Sequence, residues 1–244
     1  MNLSDALKKI EKERNFFKQR GPEAITTFYK KVAESVGLVY LVEKKSKTKT
    51  IKINARKNYV INLVTAAEVY FKDLLKNIPD IKIIKNNDGL EKLLEEKITI
   101  WEAYQLLRTR KSRKPIRISE LIGIDRLFEN LTTIDSFFSK LLKCNFLEEV
   151  ENHQHRLNKV EKNFFSVTKL HLKVNLPDWK NQVGTLFEKR HEYVHQICFG
   201  DNLTYKEISK FWWRLVCFIY AVNYFVEDKY LNTNHRKKKR SKME

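Results

Sequence analysis

The densest group of side chains able to do chemistry lies in the segment LFEKRHEYVHQ, residues 186–196. It contains two histidines, His191 and His195, and an arginine, Arg190, directly before the first of them. Histidine has an ordinary pKa near 6.5, so it can take up or release a proton at neutral pH. Arginine stays charged and presents a planar set of donors that fits phosphate oxygens. The segment therefore predicts proton transfer next to an anionic group.

The same segment contains the spacing of a zinc peptidase motif. His191, Glu192 and His195 match H-E-x-x-H, in which two histidines one helical turn apart bind zinc and the glutamate activates a bound water. However, Lys189 and Arg190 place positive charge where a divalent cation would bind. The longer form of the motif, with a glycine and a third histidine, does not follow. A zinc peptidase is therefore a remote alternative, and we expect neither a metal nor a cofactor.

Arg190 and His195 also fit a second pattern, an arginine followed after four residues by a histidine. The pattern resembles the R-x(4–6)-H signature of HEPN domains, in which the residue after the arginine is commonly Asn, Asp or His, as His191 is here. The surroundings are similar as well, because a loop and a long apolar final helix follow the motif. Glu68 lies in the apolar segment LVTAAEVYFKDLL, like the buried acidic residue of the family's first helix. The resemblance covers roughly residues 57–230.

The resemblance implies an all-α, HEPN-like helical bundle that acts as a metal-independent endoribonuclease. His195 is then expected to act as a base on a ribose 2′-OH or as an acid toward the leaving 5′ oxygen. Arg190 would hold the phosphate and stabilise its developing charge. His191 would contact the phosphate or orient its neighbours, and Glu68 would orient Arg190 or a histidine. The family also implies a toxin or anti-phage defence role, with an inhibitory partner protein.

Helix geometry limits how Arg190 and His195 can act together. Positions five apart on a regular helix are separated by about 140° around its axis, so the two side chains do not face one another directly. They converge if the helix is distorted there, or if a second subunit brings its own pair alongside, as in dimers of the family. A symmetric homodimer is therefore part of the hypothesis.

Each candidate residue also has an ordinary structural interpretation. His195 could be an interior histidine, and Arg190 could form a surface ion pair with Glu188 or Glu192, a kind of pair that contributes little stability. Glu68 needs a partner inside an apolar helix, but that partner could be purely structural. A HEPN module without activity, which binds nucleic acid, a nucleotide or a partner protein, is therefore the main alternative function.

Three further histidines, His153, His155 and His171, are interpreted as surface residues rather than as metal ligands. The H-Q-H spacing falls in a segment, residues 146–165, that is expected to form a polar helix. No carboxylate or thiolate is expected near it. The sequence therefore predicts no metal site there.

The charge of the chain favours RNA as a partner. Lysine and arginine number 48 against 30 acidic residues, which gives a net charge of +18 on 29.2 kDa. The segment RTRKSRK, residues 108–114, is either an ordinary solvated loop or an element that contacts phosphate. The predicted nucleic-acid-binding residues are its basic side chains and the lysine before Arg190: Arg108, Arg110, Lys111, Arg113, Lys114 and Lys189.

Composition favours helices, because only 6 glycines and 4 prolines leave little material for a turn-rich β fold. We predict an N-terminal helical extension with a basic loop over 1–52, a HEPN-like domain over 53–231 and a basic disordered tail over 232–244. The apolar runs are too short for a membrane span, and no secretion signal is recognised, so we expect a cytoplasmic protein without membrane contact.

Four predicted elements position the candidate residues. A deeply buried helix is expected over 58–77, and a second helix is expected from Trp179 to about His195. A last long helix should begin at Thr204, whose spacing to Glu207 is that of a capping box, and run to about Tyr230. The basic stretch 43–52 is expected to be a loop or a short strand.

Overall fold

The computed structural model describes residues 24–78, 127–195 and 203–231. Within these ranges the protein has eight α-helices and a two-stranded sheet, which confirms the all-α class. The elements in chain order are α1 Ala24–Lys45, α2 Lys49–Asn77, α3 Leu131–Leu142, α4 Phe146–Asn152, β1 His155–Arg156, α5 Lys159–Phe165, β2 Lys169–Leu170, α6 Leu172–Asn175, α7 Trp179–His195 and α8 Tyr205–Val226. A π-helical turn, Glu227–Leu231, continues α8. None of the helices in the described ranges combines the length and apolarity needed to cross a bilayer.

Helix α2 lies at the centre of the molecule and packs against α1, α7 and α8. It is buried there because apolar residues occur on most of its faces, as the sequence indicated. Phe71 of α2 joins three parts of the core, since its ring lies 5.7 Å from those of Phe128 and Phe138 and 5.9 Å from that of Phe218. The aromatic cluster therefore ties α2 to α3 and α8.

The basic stretch 43–52 differs from its prediction. It is a loop only at residues 46–48, because α1 continues to Lys45 and α2 begins at Lys49. Arg56 stabilises this tight connection: its guanidinium donates to Glu43 at 2.6 and 2.9 Å and to the carbonyl of Leu203 at 2.8 Å. The hydrogen bonds from Arg56 also hold the pKa of the Glu43 carboxyl below its usual range. The predicted boundary between residues 52 and 53 falls inside α2.

The segment 146–165 is not the single polar helix that was predicted. Helix α4 ends at Asn152, and β1 then pairs antiparallel with β2, with His155 opposite Leu170. A new helix, α5, begins because the side chains and backbones of Asn158 and Glu161 form a capping box. The end of α4 at Asn152 and the new start at Asn158 therefore divide a segment that composition alone would have continued as one helix.

Helix α7 has the predicted bounds, and α8 begins where it was predicted, but α8 ends at Val226 and the π-helical turn Glu227–Leu231 takes up the rest of the predicted range. Helix α7 runs from Trp179 to His195, and α8 follows a capping box in which Glu207 accepts a hydrogen bond from the Thr204 backbone at 2.7 Å. Asp178, directly before α7, accepts a hydrogen bond from Arg214 of α8 at 2.8 Å. The two helices that follow one another in the chain are therefore also joined side by side.

Candidate functional site

Arg190 and Glu68 come together where α7 packs against α2. Nη2 of Arg190 lies 3.5 Å from Oε1 of Glu68, and the two side chains are only 22% and 17% exposed. Of the two kinds of partner that the resemblance implied for Glu68, an arginine or a histidine, the structure places the arginine beside it. Arg190 also pairs with neither Glu188 nor Glu192 of its own helix in the described contacts. Arg190 therefore forms its ion pair with a residue of another helix, and the ordinary surface pair within α7 is not the one observed.

The Glu68 carboxylate is not fully compensated by its surroundings. Burial raises the pKa of Glu68, the positive charges of Arg190 and Lys72 lower it in part, and Glu129 raises it further. The net direction is upward, so the ionised form of this carboxyl costs free energy in the folded protein. The ionised form of Glu68 is therefore not a source of stability at neutral pH.

Arg190 has hydrogen-bonding capacity that its surroundings leave unused. Its Nε is buried and finds no acceptor among the described residues. A buried donor without an acceptor is uncommon in folded proteins and costs free energy. A guanidinium that is held by one carboxylate keeps further N–H donors, and these can donate to an anionic oxygen such as that of a phosphate.

His191 and His195 lie one turn apart on α7, with ring centroids separated by 4.6 Å and ring planes inclined at 48°. Both side chains are exposed, so the interpretation of His195 as an interior histidine is wrong. Helix α7 stays α-helical up to His195, and Arg190 and His195 therefore remain about 140° apart around its axis. Within one chain, the neighbour of His195 is His191 rather than Arg190.

Lys189, which precedes the two histidines, and Glu192, which lies between them, form an ion pair of 3.0 Å. The lysine that was predicted to contact RNA therefore has an acidic neighbour on its own helix. The same pairing occupies the glutamate that a zinc peptidase would need to activate water. In the part of the chain that the structure describes, the donors of the H-E-x-x-H sequence do not gather into a set of three metal ligands.

Tyr193 and Lys57 give a second link between α7 and α2 near this site. Nζ of Lys57 lies 5.3 Å from the centroid of the Tyr193 ring, within the range of a cation–π contact. The end of α7 therefore contacts α2 through two side chains, Arg190 and Tyr193. The remaining predicted RNA contacts lie outside the described residues: Arg108, Arg110, Lys111, Arg113 and Lys114.

The interpretation of His153 and His155 as ordinary surface residues is wrong. His153 follows the last residue of α4, and His155 is the first residue of β1, so neither lies in a polar helix. Asp228 lies 3.1 Å from a ring nitrogen of each. His171 is not part of this group in the structure. The H-x-H spacing was a signal for the pair, but the carboxylate comes from a position more than seventy residues away in the sequence.

No protein-family model, no curated protein and no solved structure matches this chain. The likeness to HEPN domains therefore depends on the motif at Arg190 and His195 and on its surroundings in this sequence.

The raised pKa of Glu68 has a measurable effect on stability. A carboxyl whose pKa is higher in the folded state contributes stability below its unfolded pKa, and this contribution is lost as the pH rises through the folded pKa. Glu68→Gln keeps the shape but does not titrate. We expect the unfolding free energy of this variant, minus that of the wild type, to increase from pH 4 to pH 7 in urea denaturation. A difference that is flat or falls over this range would contradict the electrostatics described here.

Proposed function

We propose that the protein is a metal-independent endoribonuclease of the HEPN type, with Arg190, His195, His191 and Glu68 in its active site. The observation that carries the proposal is the ion pair between Glu68 and Arg190 beside two exposed histidines. The pair fixes a group that can bind phosphate on the helix that also carries the two histidines, a residue type that serves as acid or base in catalysis. The net charge of +18 supports a polyanionic substrate.

In the proposed reaction, Arg190 binds the scissile phosphate of RNA, and Glu68 holds the guanidinium in place. His195 takes the proton of the ribose 2′-OH, whose oxygen attacks the phosphorus. The bond from phosphorus to the 5′ oxygen breaks, and a second imidazole protonates that oxygen. The products are a 2′,3′-cyclic phosphate and a 5′-OH. Arg190 stabilises the charge that develops on the phosphate oxygens.

A homodimer completes this proposal. Arg190 and His195 point in different directions from one regular helix, so one chain does not place both on the same phosphate. A symmetric arrangement of two α7 helices brings the arginine of one copy toward the histidine of the other and also supplies two imidazoles for the two proton transfers. In this proposal His191 contacts the phosphate, and Lys189 with the 108–114 segment binds the RNA backbone.

The cellular role follows from the family resemblance. We propose a toxin or anti-phage defence protein that acts in the cytoplasm and is held inactive by a partner protein. A ribonuclease without a bound metal needs no loading step, so control by a protein inhibitor that covers the histidines is consistent with their exposure.

The test is the cleavage of a mixed RNA pool by the wild-type protein in excess chelator. We expect cleavage of RNA, no cleavage of DNA of the same sequences, and 2′,3′-cyclic phosphate ends in the products, since the nucleophile is the ribose 2′-OH. RNA with 2′-O-methyl groups is the matched control and should resist. Binding of RNA without cleavage would favour the inactive HEPN module, and cleavage that depends on an added metal would overturn the mechanism.

A further inference from the structure

Three side chains that could bind a metal lie close together outside the proposed active site. Nε2 of His153 and Nδ1 of His155 each lie 3.1 Å from Oδ2 of Asp228. The three donor atoms all lie within 4.8 Å of one another. They come from three separate parts of the fold: the end of α4, the start of β1 and the π-helical turn after α8. The convergence is therefore a product of tertiary structure.

Neighbouring aromatic side chains fix the orientation of both imidazoles. The ring of His155 stacks on that of Tyr224, with centroids 3.7 Å apart and planes inclined by 6°. The Tyr224 hydroxyl in turn donates to Glu161 at 2.6 Å. The ring of His153 meets Phe225 edge to face at 5.7 Å. Ligands whose rings are already held in place lose little freedom when an ion binds, which favours binding.

We propose that His153, His155 and Asp228 form a binding site for Zn²⁺. Two histidines and one carboxylate are a known donor set for zinc with an open fourth position. At Zn–N and Zn–O distances near 2.1 Å, tetrahedral donors lie about 3.4 Å apart, so the observed nitrogen–oxygen separations need to open by only a few tenths of an ångström. The side chains are 17%, 25% and 35% exposed, which leaves a path for the ion and for a water ligand.

The alternative is that the three side chains form only a hydrogen-bonded network. In that case each imidazole donates one N–H to the same carboxylate oxygen, and no ion binds. Two features favour the metal. The donor atoms of two imidazoles and one carboxylate all lie within 4.8 Å of one another, and the group is partly open to solvent. The inference does not depend on the proposed ribonuclease activity.

Zinc titration of chelator-stripped, desalted protein by isothermal calorimetry tests the proposal. We expect one Zn²⁺ per chain in the wild type. Asp228→Asn and His155→Ala should each weaken binding by at least about 100-fold, because loss of a direct ligand exceeds the roughly 10–100-fold effect of losing a supporting residue. The double variant His191→Ala/His195→Ala is the matched control and should bind zinc like the wild type.

Three results would overturn the site: no zinc bound by the wild type, unchanged binding by both cluster variants, or a loss that occurs only in the double variant. A second measurement needs no substitution. Zinc should protect His153 and His155 of the wild type from acylation by diethyl pyrocarbonate, as mapped by mass spectrometry, and leave the reaction of His191 unchanged. Equal modification of the two cluster histidines with and without zinc also overturns the proposal.

Discussion

Replacing Arg190 or His195 with alanine is expected to reduce the rate of RNA cleavage by about 10²–10⁴-fold, a range that covers the usual contributions of a proton-transfer group and of a donor to developing charge. For His195 the loss comes from the missing acid or base. For Arg190 it comes from the missing donors to the phosphate, since the pair with Glu68 holds the guanidinium in place. Cleavage kinetics on one RNA substrate, in excess chelator, measure both effects.

Arg190→Lys separates charge from geometry in the same assay. Lysine keeps the positive charge but lacks the planar fork that binds a phosphate through two parallel donors, so we expect most of the activity to be lost. His171→Ala is the matched control for the histidine change, because His171 lies outside the proposed site, and it should cut RNA at the wild-type rate. If the alanine variants of Arg190 and His195 are folded and cut RNA as fast as the wild type, the proposed active site is wrong.

Phe71→Ala is expected to lower the free energy of unfolding by about 3–5 kcal/mol, the usual cost of removing a fully buried phenylalanine. The Phe71 side chain is 0% exposed, and its ring contacts those of Phe128, Phe138 and Phe218. The change would leave a cavity between α2, α3 and α8 that rigid neighbouring rings cannot fill. Urea denaturation, followed by far-ultraviolet circular dichroism, measures the loss.

Phe164→Ala is the matched control for this prediction. Phe164 carries the same side chain but is 41% exposed, so less apolar surface leaves contact with other atoms when it is shortened. We expect a clearly smaller loss than for Phe71→Ala. Equal losses in the two variants would mean that the aromatic cluster around Phe71 does not dominate the stability of the core.

The elements predicted best are those whose signals are local. The capping box of Thr204 and Glu207 defines the start of α8 through contacts between residues three apart. The apolar character of α2 predicted its burial and drew attention to Glu68 as a carboxylate that needs a partner. The sequence left two possible partners for Glu68, an arginine or a histidine. Neither segment alone determines how α7 packs on α2, so the sequence did not decide for Arg190.

The features that sequence reasoning missed depend on contacts between distant segments. The stretch 43–52, predicted as a loop or a short strand, is mostly helical, and Arg56 stabilises its connection by binding both Glu43 and the Leu203 carbonyl, which is 147 positions away. The cluster of His153, His155 and Asp228 was missed for the same reason. Residue type and spacing showed the H-x-H pair, but only the folded chain brings the carboxylate to it.

The π-helical turn that follows α8 determines the direction in which the side chains of residues 227–231 project around the helix axis. A π-helical turn holds about one residue more than an α-helical turn, and one residue corresponds to about 100° around a helix axis. Asp228 lies in this turn, where it meets the histidines of the β1 segment, and Tyr230 packs against Phe225 there. The length of this turn therefore matters to the cluster as well as the identity of Asp228. Deleting a single residue would rotate all that follows and turn the aspartate away from β1.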